Sequence, residues 1–206
     1  MPSFRTHSFF GVAFGGALAF LAVAQGFTSA ARGLLAAVIF ALASVLPDVD
    51  SDTGTPRRFL LETLSLLIAA ASVRQIDPDT AEQGFLLIIV IYFAIRWPCE
   101  FLLQRFTVHH GIFHSIPMAL VFAAGVMLVF HRSPENFRYL YAAAGAAGWL
   151  LHLTVDEIQA FFSGSGKFGS SLKFYSSSFS ATLLTYLAAA LLLAAAFFPE
   201  WREYIF

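Results

Sequence analysis

His109–His110–Gly111–Ile112–Phe113–His114–Ser115–Ile116–Pro117 gathers three of the chain's six histidines between long apolar runs. Imidazoles crowded in this way chiefly serve to hold a metal. Ser115 followed by Ile116–Pro117 reads as an N-cap with proline in the first turn, because a proline deeper in a helix clashes with the turn before it. The stretch is therefore a loop feeding a helix. It decides the fold because the other polar clusters can be located by counting membrane crossings from it.

Crossings are expected from composition. The 206 residues are 58% hydrophobic and only 12% charged, and the mean hydropathy is +0.73, which is the profile of a polytopic membrane protein. Twelve Lys and Arg stand against thirteen Asp and Glu, and the basic residues are scattered apart from Arg57–Arg58, so no basic face for nucleic acid is present. The single cysteine, Cys99, rules out an internal disulfide and a Cys-type zinc site. Any metal centre must use histidine and carboxylate.

Working outward, a first span runs from about Ser8 to Phe27, with His7 at its entry and Gly11, Gly15 and Gly16 offering flat surface to a neighbour. Arg5, the apolar run and Ala22–Val23–Ala24 imitate a secretory signal; His7 lies where a ligand would be useful, and the segment is read as a retained span. A second span from about Arg32 to Leu46 ends at Pro47, after which Asp48–Val49–Asp50–Ser51–Asp52 begins a polar loop to Arg58. Phe59–Val73 and Gly84–Trp97 are shorter runs that either cross twice or form a hairpin, and Thr80–Ala81–Glu82–Gln83 between them has the capping-box pattern. Pro98 is expected to break the helix, leaving Glu100–Phe106 as an amphipathic interfacial segment. After the central cluster, one span reaches about Phe130, the next runs from about Tyr139 to Thr154 or beyond, and a last run from about Ala181 to Phe198 follows a Ser/Gly-rich stretch. Gly164–Ser165–Gly166–Lys167 is not a phosphate loop, since the earlier glycine and the hydroxyl residue after lysine are missing. The expected architecture is all-α: a polytopic integral membrane bundle of five to seven spans, forming a single domain over residues 1–206 with a metal site at one membrane face.

Parity brings the polar clusters together. If His7 opens the first span on side A, the second returns Asp48 and Asp50 to side A, the next pair of runs returns His109–His114, and one further pair returns His152 and Asp156. Side A also carries Arg5, Arg57, Arg58, Arg96, Arg105, Lys167 and Lys173, against Arg32, Arg74, Arg132, Arg138 and Arg202 on side B, so the positive-inside rule assigns side A to the cytoplasm.

His152 and Asp156 are four apart at a helix end and share a face, able to grip one ion or to form an interfacial hydrogen-bonded pair. Asp156 near a helix C-terminus would be repelled by the macrodipole unless a cation is present. Asp48 and Asp50 either serve the turn after a helix or divide labour, one ligating and the other orienting a histidine or water. His109 and His114 are the ligand candidates of the central cluster, with His110 beside them in a supporting or solvent-facing position. Glu157 is a remaining carboxylate, either a base or an exposed group. The aromatic residues, 16% of the chain, are read as lipid-facing or packing groups with no assigned role.

Thr6–His7 before a glycine-bearing span, Leu46–Pro47–Asp48–Val49–Asp50, the His109–Gly111–His114–Ser115 pattern and His152–x–x–x–Asp156 together resemble the YdjM-like membrane-bound metal-dependent hydrolases over nearly the whole chain. The resemblance implies a helical inner-membrane protein of bacterial type with a His/Asp metal centre, distantly similar to the zinc phospholipase C and single-strand nuclease group. It maps His7, Asp48, His109, His114, His152 and Asp156 onto the family's polar positions. The family usually has Arg after the first central histidine and Thr before the second, where this chain has His110 and Phe113, and Glu157 to Phe179 follows its pattern only loosely. These departures bear on substrate choice.

The expected function is metal-dependent hydrolysis at the membrane surface, of a phosphoester and of phospholipid type if the substrate is a lipid. The metal ligands are His7, Asp48, His109, His114, His152 and Asp156, and the groups available for proton transfer or support are Asp50, His110 and Glu157. One or more divalent ions are expected: zinc suits a His-rich, cysteine-free site, and mixed His/Asp ligation also fits manganese or iron. Expected partners are membrane lipids and a small-molecule or lipid substrate, with no nucleic acid. The alternative is a non-enzymatic membrane protein whose metal is structural or transported. Polar residues at span ends, and not at mid-membrane, favour surface chemistry.

Overall fold

In the computed structural model of the chain, residues 3–50, 55–106, 113–164, 172–175 and 179–198 are described. Among them the structure is all-helical: α1 (Phe4–Ala24), α2 (Ala30–Ala43), a short 3₁₀ helix (Leu46–Asp50), α3 (Thr55–Ile76), α4 (Ala81–Phe106), α5 (Ile116–Val129), α6 (Glu135–Phe162) and α7 (Phe179–Phe197). Phe4–Ala24, Ala81–Phe101 and Phe179–Phe197 are long and apolar enough to cross a bilayer, and α2 and α5 are shorter apolar helices. Large side chains such as Phe9, Phe20, Val129 and Leu191 stand exposed on these helices. That surface suits lipid as its solvent and would be a liability in water.

The chain divides into two compact units, residues 1–47 with 110–206, and residues 48–109. In the first, α2 packs on α1 and α6, and α5 packs on α6 and α7. Ala36, Ile39, Val126 and Tyr141 form one core cluster, while Ala119, Trp149 and Leu153 form another. Close helix approach is obtained with glycine: a methyl on Gly148 would overlap the Phe40 carbonyl oxygen, and one on Gly11 would overlap Ser44 Oγ. Gly15 faces α2 in the same way, but Gly16, expected to share that role, faces open space. In the second unit, α3 and α4 pack on each other, and the link between them is closed by Thr80 Oγ1, which accepts from Gln83 N at 3.2 Å.

Three boundaries differ from the sequence expectation. α1 starts before His7, because Ser3 is the N-cap and its side chain accepts from Thr6 N. α3 absorbs the end of the supposed loop, with Pro56 in its first turn, where a missing N–H is harmless. Pro98 does not break its helix: α4 continues to Phe106, and Glu100–Phe106 is its end, not a separate interfacial segment. Membrane helices tolerate such prolines when the freed carbonyl is re-satisfied locally, and here an Arg96–Glu100 ion pair also straddles the proline.

Candidate metal centre

α1, α6 and the loop before α5 each bring one part of the site. His7 lies in the first turns of α1, His152 and Asp156 lie one turn apart on α6, and His114 sits immediately before the Ser115 N-cap of α5. All four are buried, with exposures of 2% for His7, 0% for His114 and His152, and 6% for Asp156. A buried carboxylate costs free energy unless donors or a cation surround it, and the imidazoles do surround this one. His7 Nε2 is 3.2 Å from Asp156 Oδ1, while His152 Nε2 and His114 Nε2 are 3.3 Å and 3.7 Å from Oδ2. His7 stacks on His152 with ring centroids 3.8 Å apart.

The tautomer of His152 follows from its other nitrogen. Nδ1 lies 2.9 Å from the carbonyl oxygen of Ser44, which only accepts, so Nδ1 carries the proton and donates. In a neutral ring Nε2 then holds a lone pair, and that lone pair faces Asp156 Oδ2 and, at 3.3 Å, His114 Nε2. Electron-rich atoms converge in this way around a proton or a cation. His7 Nδ1 is also buried, without a hydrogen-bond partner among the described residues.

The donor set fits a metal. His114, His152 and Asp156 offer ligand atoms within 4.8 Å of one another; two of their separations, 3.3 Å each, fall within the edge of about 3.3–3.6 Å that four ligands at zinc distances impose in a tetrahedron, and the third, 3.7 Å, lies just above it. The Ser44 carbonyl behind His152 is the usual outer partner of a ligating imidazole.

The remaining candidates divide. Asp48 and Asp50 belong to the 3₁₀ helix and not to a loop; Asp48 opens the second unit, and the Asp50 side chain lies outside the described residues. So do His109 and His110. Glu157 is buried, and its Oε2 accepts from Leu172 N at 3.4 Å, which ties the stretch after α6 back onto that helix. Asp156 is not at a helix end, because α6 runs on to Phe162, so the macrodipole argument for a cation falls away and the argument from converging lone pairs replaces it. Ser115 is the N-cap in backbone geometry but makes no side-chain capping bond.

Two positioning residues carried no sequence signal that their types would betray. Ser44 acts mainly through its carbonyl, which any residue has. Its hydroxyl donates to Ala41 O at 2.8 Å and reaches His7 O at 3.4 Å. Trp149, one of the aromatics given no role, donates from Nε1 to Phe113 O at 3.1 Å and so anchors the residue before His114. Ile116 N donates to Lys173 O at 3.0 Å, fixing the other side of the same loop.

No curated protein and no solved structure matches the chain. A family model described as YdjM inner membrane protein matches residues 1–198, so the chain belongs to that family and is a protein of the inner membrane.

Proposed function

We propose that the chain is a membrane-bound, metal-dependent hydrolase acting on phosphoesters. The observation that carries the reading is the buried triangle of His114 Nε2, His152 Nε2 and Asp156 Oδ2, with edges of 3.3 to 3.7 Å. Three protein donors of the His₂-carboxylate kind are the set that catalytic zinc sites use while leaving one position for water or substrate. When bound, the ion would polarise a phosphoryl oxygen and acidify a water to near neutrality.

The chain's own residues set up that chemistry. Ser44 holds the His152 ring in the tautomer that turns Nε2 inward. His7 takes up Asp156 Oδ1, which leaves Oδ2 toward the two other imidazoles. Trp149 and the Lys173 carbonyl fix the His114 loop on either side. Zinc is the preferred ion, with manganese or iron also compatible with mixed His/Asp donors. The family resemblance adds Asp48 and His109 as ligand candidates, and Asp50, His110 and Glu157 are the sequence's candidates for proton transfer or support. The substrate reaches the site from the bilayer or its surface.

The test is metal analysis of the detergent-purified protein and of His114→Ala and Asp156→Ala, with hydrolysis of bis(p-nitrophenyl) phosphate and of phosphatidylglycerol micelles measured in parallel. Bound metal and phosphodiester cleavage in the parent, both lost in the variants, are expected. Metal-free protein indifferent to either substitution would remove the site. Bound metal with no hydrolysis of any phosphoester would turn the reading to a structural or transported ion.

A further inference from the structure

A second feature shares α1 and α6 with the metal centre but lies away from the histidines. α1, α2 and α6 enclose an apolar cavity of about 300 Å³, lined by residues that include Gly15, Ala19, Ala36, Phe40, Ala144 and Ala147. A neighbouring cavity of about 380 Å³ reaches Asn136 and Phe137 and shares Ala22, Thr28, Leu140 and Ala143 with the first. The two abut along these four residues and together line a groove. On α6 it extends from Asn136 to Ala147, or roughly 16 Å at 1.5 Å per residue, close to the roughly 15 Å of hydrocarbon in a single leaflet. Its inner end stops about a turn and a half of α6 short of His152.

The outer end of the groove is polar and positive. Thr28 lines both cavities, and its Oγ1 is buried without a hydrogen-bond partner among the described residues. Arg32 lies over the Phe137 ring, with its guanidinium carbon 3.7 Å from the centroid. The N-termini of α2 and α6 meet there too, and neither N-cap residue, Ser29 or Pro134, makes a side-chain capping bond. Several negative groups at this end already have partners among the described residues. The last carbonyls of α1 accept from Gln25, Gly26 and Phe27 N–H groups, and Glu135 is engaged by the Tyr139 hydroxyl and by Arg138. A positive mouth on an apolar groove one leaflet long is complementary to an anionic amphiphile.

We infer that this groove holds one acyl chain of an anionic phospholipid, with the headgroup phosphate at Arg32 and Thr28. This goes beyond the proposed hydrolase and does not depend on it, since no residue of the His/Asp cluster takes part. Ala143 is exposed on α6 and lines both cavities, so Ala143→Phe fills the groove without crowding the core. Thr28→Val removes the hydroxyl alone.

Native mass spectrometry of the full chain, released from detergent after exchange with phosphatidylglycerol, phosphatidylcholine or inorganic phosphate, tests the inference. Expected are one retained phosphatidylglycerol per chain, about tenfold weaker retention of phosphatidylcholine and in Arg32→Gln, as befits a lost charge-assisted hydrogen bond, and little retention in Ala143→Phe. Inorganic phosphate alone should not be retained. Equal retention of the two lipids, or undiminished phosphatidylglycerol in both Arg32→Gln and Ala143→Phe, would overturn it. So would retention of inorganic phosphate without lipid. Helical circular dichroism and the thermal midpoint, unchanged in Thr28→Val and Ala143→Phe, separate loss of lipid from loss of fold, and Thr28→Val must still weaken phosphatidylglycerol retention if Ala143→Phe misfolds.

Discussion

Arg58–Glu62 on α3 and His7–Asp156 across α1 and α6 are both ion pairs by distance, at 2.8 Å and 3.2 Å, yet they belong to different physics. The first joins residues four apart on one helix, with side chains 75% and 43% exposed. Such a pair is screened by solvent and holds nothing in place. The second joins distant segments with exposures of 1% and 6%, and the same carboxylate also meets His152 and His114. Removing one member there strands the others. The lesson is that distance alone does not rank these two pairs: the exposed one is local and dispensable, and the buried one belongs to a set.

The sharpest way to break the comparison is Asp156→Ala. It leaves three imidazoles facing one another without their anion, and truncating one member of a buried charged set typically costs about 3–5 kcal/mol. Metal content should fall to background together with a large drop in the thermal midpoint in detergent; retention of both would place Asp156 with the dispensable pairs. Next comes Gly148→Ala, which touches no charge but must push α2 away from α6, because the new methyl meets main chain and cannot be accommodated by a side-chain rotation. Overpacking of this kind costs about 1–3 kcal/mol, and the displacement of Ser44 should weaken metal binding as well, measurable by unfolding and chelator competition on the same sample. His7→Gln keeps a polar group near Asp156 but removes the stacked ring. If His7 orients the carboxylate from outside the triangle, metal affinity falls by about 10–100-fold, read by chelator competition, whereas complete loss would make His7 a direct ligand. Smallest is Arg58→Ala, for which neither the thermal midpoint nor the metal content should change.

Much of the membrane architecture was legible because long apolar runs have few alternatives to helix in a bilayer. The His152–Asp156 pairing was legible for a similar reason, since residues four apart share a helix face regardless of tertiary context. Pro98 misled because the local rule that proline ends helices competes with a membrane context in which interruption costs more than a missing bond. The end of α6 was left open at Thr154 or beyond, although Gly164, with φ of 64° just past the helix, was the C-terminal signal that fixes it near Phe162. Ser44 and Trp149 were out of reach for a deeper reason. Each positions the site through a main-chain carbonyl, its own for Ser44 and that of Phe113 for Trp149, and carbonyls carry no residue identity.

Ser44 has a consequence for the order of assembly. One residue closes the C-terminus of α2, lies against Gly11 of α1 and holds His152 of α6, so it joins segments made early and late in synthesis. While the chain emerges, α1 and α2 can pair long before α6 exists, but His152 has no fixed tautomer until α6 docks against the waiting carbonyl. The histidine cluster is therefore a product of completed insertion, and a nascent or truncated chain lacking α6 would carry His7 and Ser44 in place with nothing for them to hold.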